Sequence, residues 1–283
     1  MKVTKISAAL ALSTAFTINA HAAPLVSNGD FSQSTYSTAS QVGDSGTTSY
    51  GQGLAGWTAT GYTIWYPSVQ DSIDGPVANQ FTNDTGTSPD NAQNLHSTMT
   101  GTDANGTSMN IGAFVGLDGD QTQDQDFSNG NTVQASISQT INGLTAGQNY
   151  TVSFDWGAAQ LQGRTGKTTE QLQVSLGNVP LSPSGTLPSG AQSTAVLDNS
   201  SGGFTGWQSQ SFTFTAQGAS QVLSFLSVGT PGGLPPMAVL ANVAMVADVT
   251  PPNNVPEPAA IILFGTGLFG LAFFMRRYSA NLL

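Results

Sequence analysis

Four aspartates within nine residues, Asp118, Asp120, Asp124 and Asp126, form the densest group of hard oxygen donors in the sequence. Carboxylates this close repel one another, and calcium is the cation that a flexible, oxygen-rich loop would hold. The spacing departs from an EF-hand loop, with no glycine at the sixth position and no glutamate at the twelfth counted from Asp118. The four acids therefore read first as a solvated loop on an acidic surface, with structural calcium as the alternative.

A second chemistry is the binding of sugars, whose apolar C–H faces stack on aromatic rings while amides and carboxylates take the hydroxyls. The sequence supplies Trp57, Tyr62, Trp65, Tyr66, Trp156 and Trp207 among abundant Asn and Gln. Neighbours on a strand point to opposite faces, so at least one of Trp65 and Tyr66 is expected to face solvent or a loop groove. These two are the predicted glycan-binding residues.

Catalytic groups are scarce. His96 is the only histidine outside the first 22 residues, so no multi-histidine zinc site forms, and no G-x-S-x-G elbow accompanies it. Glu170 is the one glutamate between residues 23 and 254, and nothing in the spacing of the acids picks out a glycosidase pair. Cysteine is absent, which excludes thiolate chemistry. The sequence predicts no enzyme and no catalytic residue.

These groups must be carried by strands. Residues 133–141 place Val133, Ala135, Ile137 and Ile141 on one face, and Tyr150, Val152, Phe154 and Trp156 repeat the alternation, as do Leu172, Val174 and Leu176, then Phe212 and Phe214. Turns fall at Asn142-Gly143 and Ala146-Gly147, and long loops at 178–193 and 229–236 precede a last strand at 239–246. Residues 32–53 and 119–130 read as loose low-complexity stretches. Strands with one apolar face need a second layer, which predicts an all-β, two-layer antiparallel β-sandwich over residues 23–249. Residues 23–254 hold two basic residues, Arg164 and Lys167, against fifteen acids, a balance that argues against nucleic acid as a partner.

The two ends predict export. Lys2 and Lys5, the apolar stretch 6–18 and Ala20-His21-Ala22 are the three regions of a secretory signal, so residues 1–22 are expected to be removed by signal peptidase after the secretion machinery engages them. At the other end, a stalk and motif at 250–258 lead into the apolar run 259–275, which as a helix spans about 26 Å, near the lower limit for a bilayer. Arg276 and Arg277 begin a basic cytoplasmic tail, 276–283.

Val255-Pro256-Glu257-Pro258, the apolar run and the Arg276-Arg277 pair together resemble the PEP-CTERM sorting signal of Gram-negative bacteria. The resemblance implies transport across the inner membrane, transient anchoring, and cleavage near the motif by an exosortase-like membrane enzyme, with delivery to the cell surface or extracellular matrix.

Short pieces of the body resemble galactose-binding-like or jelly-roll modules: Asn28-Gly29-Asp30-Phe31, Leu54-Ala55-Gly56-Trp57, Ile137-Ser138-Gln139-Thr140-Ile141, and the run from Gly143 through Asn149-Tyr150 to Phe154. Such modules commonly close on a strand with Asp-Asn-Val and a structural calcium; this chain reads Ala241-Asn242-Val243, with Ala241 where the aspartate would be and Asp30 and Asn242 left as ligands. The resemblance implies a sandwich of the kind found in carbohydrate-binding and bacterial surface proteins, and together with the aromatic and amide residues it predicts a non-catalytic carbohydrate-binding-like domain that associates with exopolysaccharide. A purely structural or self-associating surface protein and an extracellular polysaccharide hydrolase are the alternatives.

Overall fold

The computed structural model describes residues 25–43, 53–75, 77–78, 94–120, 125–126, 131–132, 134–177, 181 and 187–248. Their strands are β1 (Ala39–Gln41), β2 (Thr58–Thr60), β3 (Thr63–Tyr66), β4 (Val77–Ala78), β5 (Phe114–Asp118), β6 (Gln125–Asp126), β7 (Asn131–Thr132) and β8 (Ser136–Asn142). There follow β9 (Asn149–Gln160), β10 (Thr168–Leu176), β11 (Gln192–Ser193), β12 (Leu197–Asn199), β13 (Gln208–Thr215), β14 (Ser220–Thr230) and β15 (Pro236–Ala247). One helical turn, α1 (Asp71–Asp74), is the sole helix of the described residues.

The strands form two antiparallel sheets, one ordered β13-β9-β15-β5-β3-β1-β4 and the other β11-β10-β14-β8-β2, with β12 also on β10. The β1–β4 pair is parallel, and β6 pairs with β7 in a separate two-stranded sheet. The predicted all-β sandwich is thus the observed fold. Its main core lies between the sheets, where Tyr150, Val152, Phe154 and Trp156 of β9 meet Leu172 and Val174 of β10 and Phe225 of β14. Period 2 put these residues on one face, and burial of that face is what holds the layers together.

A second apolar cluster covers the outer face of the seven-stranded sheet. Ile64, Tyr66, Phe114, Met237, Val239 and Ala241 pack there beneath Leu95 and Met99. This sheet is therefore buried on both faces over its middle. On β15, Ala238 and Leu240 point into the main core, whereas beyond Asn242 it is Val243 and Met245 that do so. That one-residue change of parity, at a residue with φ of 52°, is the signature of a β-bulge.

The reading of residues 32–53 as loose fails in part: Ala39, Ser40 and Gln41 are buried in β1. Polar composition hid a strand whose backbone pairs with β3 through Ser40–Trp65 and Gln41–Ile64. Among the described residues no helix is long and apolar enough to cross a membrane. The predicted signal segment, 1–22, and span, 259–275, lie outside the described residues, as do Val255, Pro256, Glu257, Pro258, Arg276 and Arg277.

Candidate glycan-binding face

Asp155 lies on the outer face of β9 because Phe154 and Trp156 on either side of it point into the core. Ser209 of β13 stands directly opposite, and its hydroxyl donates to Asp155 Oδ1 at 2.6 Å. The bulge at Asn242 turns that amide toward the same carboxylate. Asn242 Nδ2 donates to Asp155 Oδ2 at 2.8 Å and to the Asn110 carbonyl at 3.0 Å, which uses both of its hydrogens. The result is a half-buried carboxylate and amide locked in one orientation, with Asn242 Oδ1 left as an acceptor.

An aromatic ring lies over the same face, one side-chain position along β9. Gly157 is two residues beyond Asp155 on the same face, roughly 7 Å along the strand. A side chain at Gly157 would lie 2.9 Å from the ring of Phe204 and 2.8 Å from the Gly206 carbonyl, so glycine makes room for the ring over the sheet. Phe204 is half-buried, held edge-on against the buried Trp207 at 5.8 Å and 70°. The remaining outer positions nearby are Ser153, Ser209, Ser211 and Thr213, all exposed and polar.

The residues expected to bind sugar sit elsewhere. Trp65 and Tyr66 do point to opposite faces, but neither faces solvent: Trp65 is 3 % exposed and Tyr66 0 %. Trp65 joins the core between the sheets and donates through Nε1 to the Phe31 carbonyl at 2.9 Å. Tyr66 joins the outer cluster, stacked on Phe114 at 5.0 Å, and burial holds its phenol above the ordinary range, with Tyr62 adding to the shift. Alternation gave the directions correctly; the error was the assumption that one face of β3 is wet, when β3 is an interior strand of a sheet covered twice.

The acidic group is likewise not a solvated loop where it is described. Asp118 and Asp120 are buried, joined by an Asp120 N–H to Asp118 Oδ1 bond of 2.9 Å, and Gly233 N–H donates to Asp120 Oδ2 at 2.5 Å. They pin the end of β5 against the turn before β15. Asp124 lies outside the described residues, and of Asp126 only the backbone, in β6, is described. Among the described residues no three His, Asp or Glu side chains come together as a metal site. Asp30 accepts from Ser32, and Asn242 is committed to Asp155 and Asn110. His96 is half-buried, its Nε2 2.9 Å from the Arg164 carbonyl.

Sequence reasoning missed Asp155, Asn242 and Phe204 as a group. Alternation put Asp155 outside, but no pattern signals the bulge that aims Asn242 at it, and Phe204 stands in no strand.

No curated protein matches this sequence. Among solved structures, a CBM4 protein is similar at 16 % identity, with 78 % of this chain and 98 % of that one covered and a TM-score of 0.35. TmCBM61 in complex with β-1,4-galactotriose is similar at 11 % identity, with 80 % and 100 % covered and a TM-score of 0.35. A protein from Bacteroides thetaiotaomicron described as a putative sugar binding protein is similar at 12 % identity, with 80 % and 100 % covered and a TM-score of 0.36. Likeness at this level carries no functional weight. Two family models match parts of the sequence, and they establish that this chain carries the PEP-CTERM protein-sorting motif over residues 254–277 and is similar over residues 120–236 to the family described as protein of unknown function (DUF642).

Proposed function

We propose that this is an exported, C-terminally sorted surface or matrix protein whose β-sandwich binds extracellular polysaccharide without cleaving it. The observation that supports the binding reading is the Asp155–Asn242 pair on the same sheet face as the half-buried ring of Phe204, which lies over Gly157 two residues along β9. A fixed carboxylate and amide select the direction of sugar hydroxyls, and a ring edge supplies the apolar contact. The sorting motif supports the location; in this reading an exosortase-like enzyme releases the protein near Pro256-Glu257-Pro258 at the cell surface or matrix, where it meets exopolysaccharide.

The test is co-sedimentation of the mature protein with the producing cell's own exopolysaccharide, normalised to folded protein. Phe204→Ala and Asp155→Asn are each expected to weaken binding about tenfold, the equivalent of about 1.4 kcal/mol. Wild-type affinity in both variants would overturn the site. Failure of the wild-type protein to bind any polysaccharide would overturn the function, and release of reducing ends from the same polymers would replace it with a hydrolase.

A further inference from the structure

Strand β13 closes one end of the seven-stranded sheet, pairing on one side with β9 from Gln208–Trp156 to Thr215–Asn149. Which of its backbone groups face the open side follows from two bonds. Trp207 N–H donates away from β9 to the Thr102 carbonyl, and the Thr213 carbonyl accepts from Gln192 of β11. In an antiparallel strand the N–H and C=O of one residue point the same way, so Ser209, Ser211, Thr213 and Thr215 present both groups outward.

The outward carbonyls are capped in an unusual manner. Gln210 Nε2 donates to Ser211 O at 3.1 Å, Gln192 Nε2 to Thr213 O at 2.7 Å and Gln217 Nε2 to Thr215 O at 3.1 Å. Neutral amides thus stand in for the N–H groups of a missing strand. Among the described residues nothing accepts from the amides of Ser211 or Thr213.

Among the described residues, the other end strands of the two sheets are short. β2 and β12 have three residues each, β4 and β11 two. β13 has eight, with no proline, lysine or acid in Gln208-Ser209-Gln210-Ser211-Phe212-Thr213-Phe214-Thr215, and it keeps strict alternation throughout. Long edges normally carry charges, proline or a bulge to prevent pairing with another chain. On a body with fifteen acids and two bases, an uncharged edge is also the strip along which two copies meet without opposing like charges.

We propose that β13 is a self-association edge, on which a second copy of this chain pairs antiparallel and continues the seven-stranded sheet across a two-fold axis. The register that uses all of residues 209–215 sets Ser211 opposite the partner's Thr213 and Ser209 opposite the partner's Thr215. It places the axis at Phe212. That ring is half-buried at the sheet border, 5.8 Å from Phe154 and 6.5 Å from Phe214, and in the dimer it closes against its own copy. The glutamine amides yield their carbonyls to the partner's N–H groups. This inference is independent of glycan binding at the outer face.

The chain has no cysteine, so a single introduced thiol reports one contact. Phe212→Cys in the full-length chain, exported in its own host, is expected to give mostly disulfide-linked dimer on a non-reducing gel. Thr140→Cys, exposed on β8, is expected to stay monomeric. Adding Thr213→Pro to Phe212→Cys removes an outward N–H and no bond to β9, and is expected to abolish the cross-link. If Phe212→Cys accumulates poorly, the double variant Ser211→Cys with Thr213→Cys reports the same register from exposed positions. Absence of covalent dimer in both reporters, equal dimer in Thr140→Cys, or cross-linking unaffected by Thr213→Pro overturns the proposal.

Discussion

The Gly29 carbonyl accepts the Val243 N–H at 2.8 Å, and a methyl group added to Gly29 would stand 1.8 Å from the Val243 carbonyl. The start of the described body is thereby clamped onto its last strand, one residue past the bulge at Asn242. The packing leaves no alternative for the clash to relax into, since the blocking atom is backbone. Gly29→Ala is expected to lower stability by at least about 1–3 kcal/mol, within the range of overpacking, with the main-core strands retained. Urea unfolding followed by tryptophan fluorescence measures it; an unchanged midpoint would show that the N-terminal segment is not held this way.

The Gly29–Val243 contact also shows what the sequence made legible. Asn28-Gly29-Asp30-Phe31 and Ala241-Asn242-Val243 were singled out as short pieces of one fold, and the structure joins them. In the second half β8, β9, β10, β13 and β15 were legible from their runs of apolar residues, whereas β14 was not, because Val222, Leu223, Phe225, Leu226 and Val228 do not alternate. β3 was legible only as the strand carrying Trp65 and Tyr66, and β1, β2, β4 and β5 were not: two to five residues carry too little period, and Ser40 and Gln41 are buried polar residues whose place is fixed by β3 and not by their own character. The site was less legible than the fold for the same reason, since Asp155, Asn242 and Phe204 meet only through a bulge and a glycine.

Because both faces of β3 are covered, Trp65→Ala and Tyr66→Ala are each expected to destabilise by roughly 3–5 kcal/mol, the cost of emptying a large buried aromatic site. Trp65→Ala also leaves the Phe31 carbonyl without its donor. Chemical denaturation of the two variants decides this. Solvent exposure of either ring would instead give a change of a few tenths of a kcal/mol at that position.

Glu170 lies fully buried on the inward face of β10, where Thr168 Oγ1 donates to its Oε1 at 2.5 Å and Oε2 makes no hydrogen bond. Burial pushes its carboxyl from an ordinary 4.5 up to about 8; the Thr168 bond opposes this and nearby Asp198 adds to it. Between these values the folded protein holds a proton that the unfolded chain has lost, so stability is complete below about pH 4.5 and falls as pH rises toward 8. The slope from this group is about 1.4 kcal/mol per pH unit. Glu170→Gln replaces a neutral acid by a neutral amide of the same shape, and the difference between wild type and variant isolates the contribution from other titrating groups. Unfolding free energies at pH 5, 6, 7 and 8 are expected to converge or cross as pH rises; a constant difference would mean that Glu170 is ionised in the fold.

The last prediction concerns the two ends of the chain, where the chemistry is cleavage. A signal with Ala20-His21-Ala22 before the cut removes residues 1–22, and an exosortase-like enzyme acting near Pro256-Glu257-Pro258 removes the apolar run and the arginine pair together. The intact mass of protein recovered from a host that possesses the sorting enzyme is therefore expected to lack residues 1–22 and 259–283, and the protein to partition into the aqueous phase. In a host without that enzyme, residues 259–283 are expected to remain and the protein to fractionate with membranes, because about 26 Å of apolar helix followed by Arg276 and Arg277 suffices to stop transfer. A dominant species that keeps residues 259–283 in both hosts would make the tail a permanent anchor, and the β-sandwich would then meet only those glycans that reach the outer leaflet of the inner membrane.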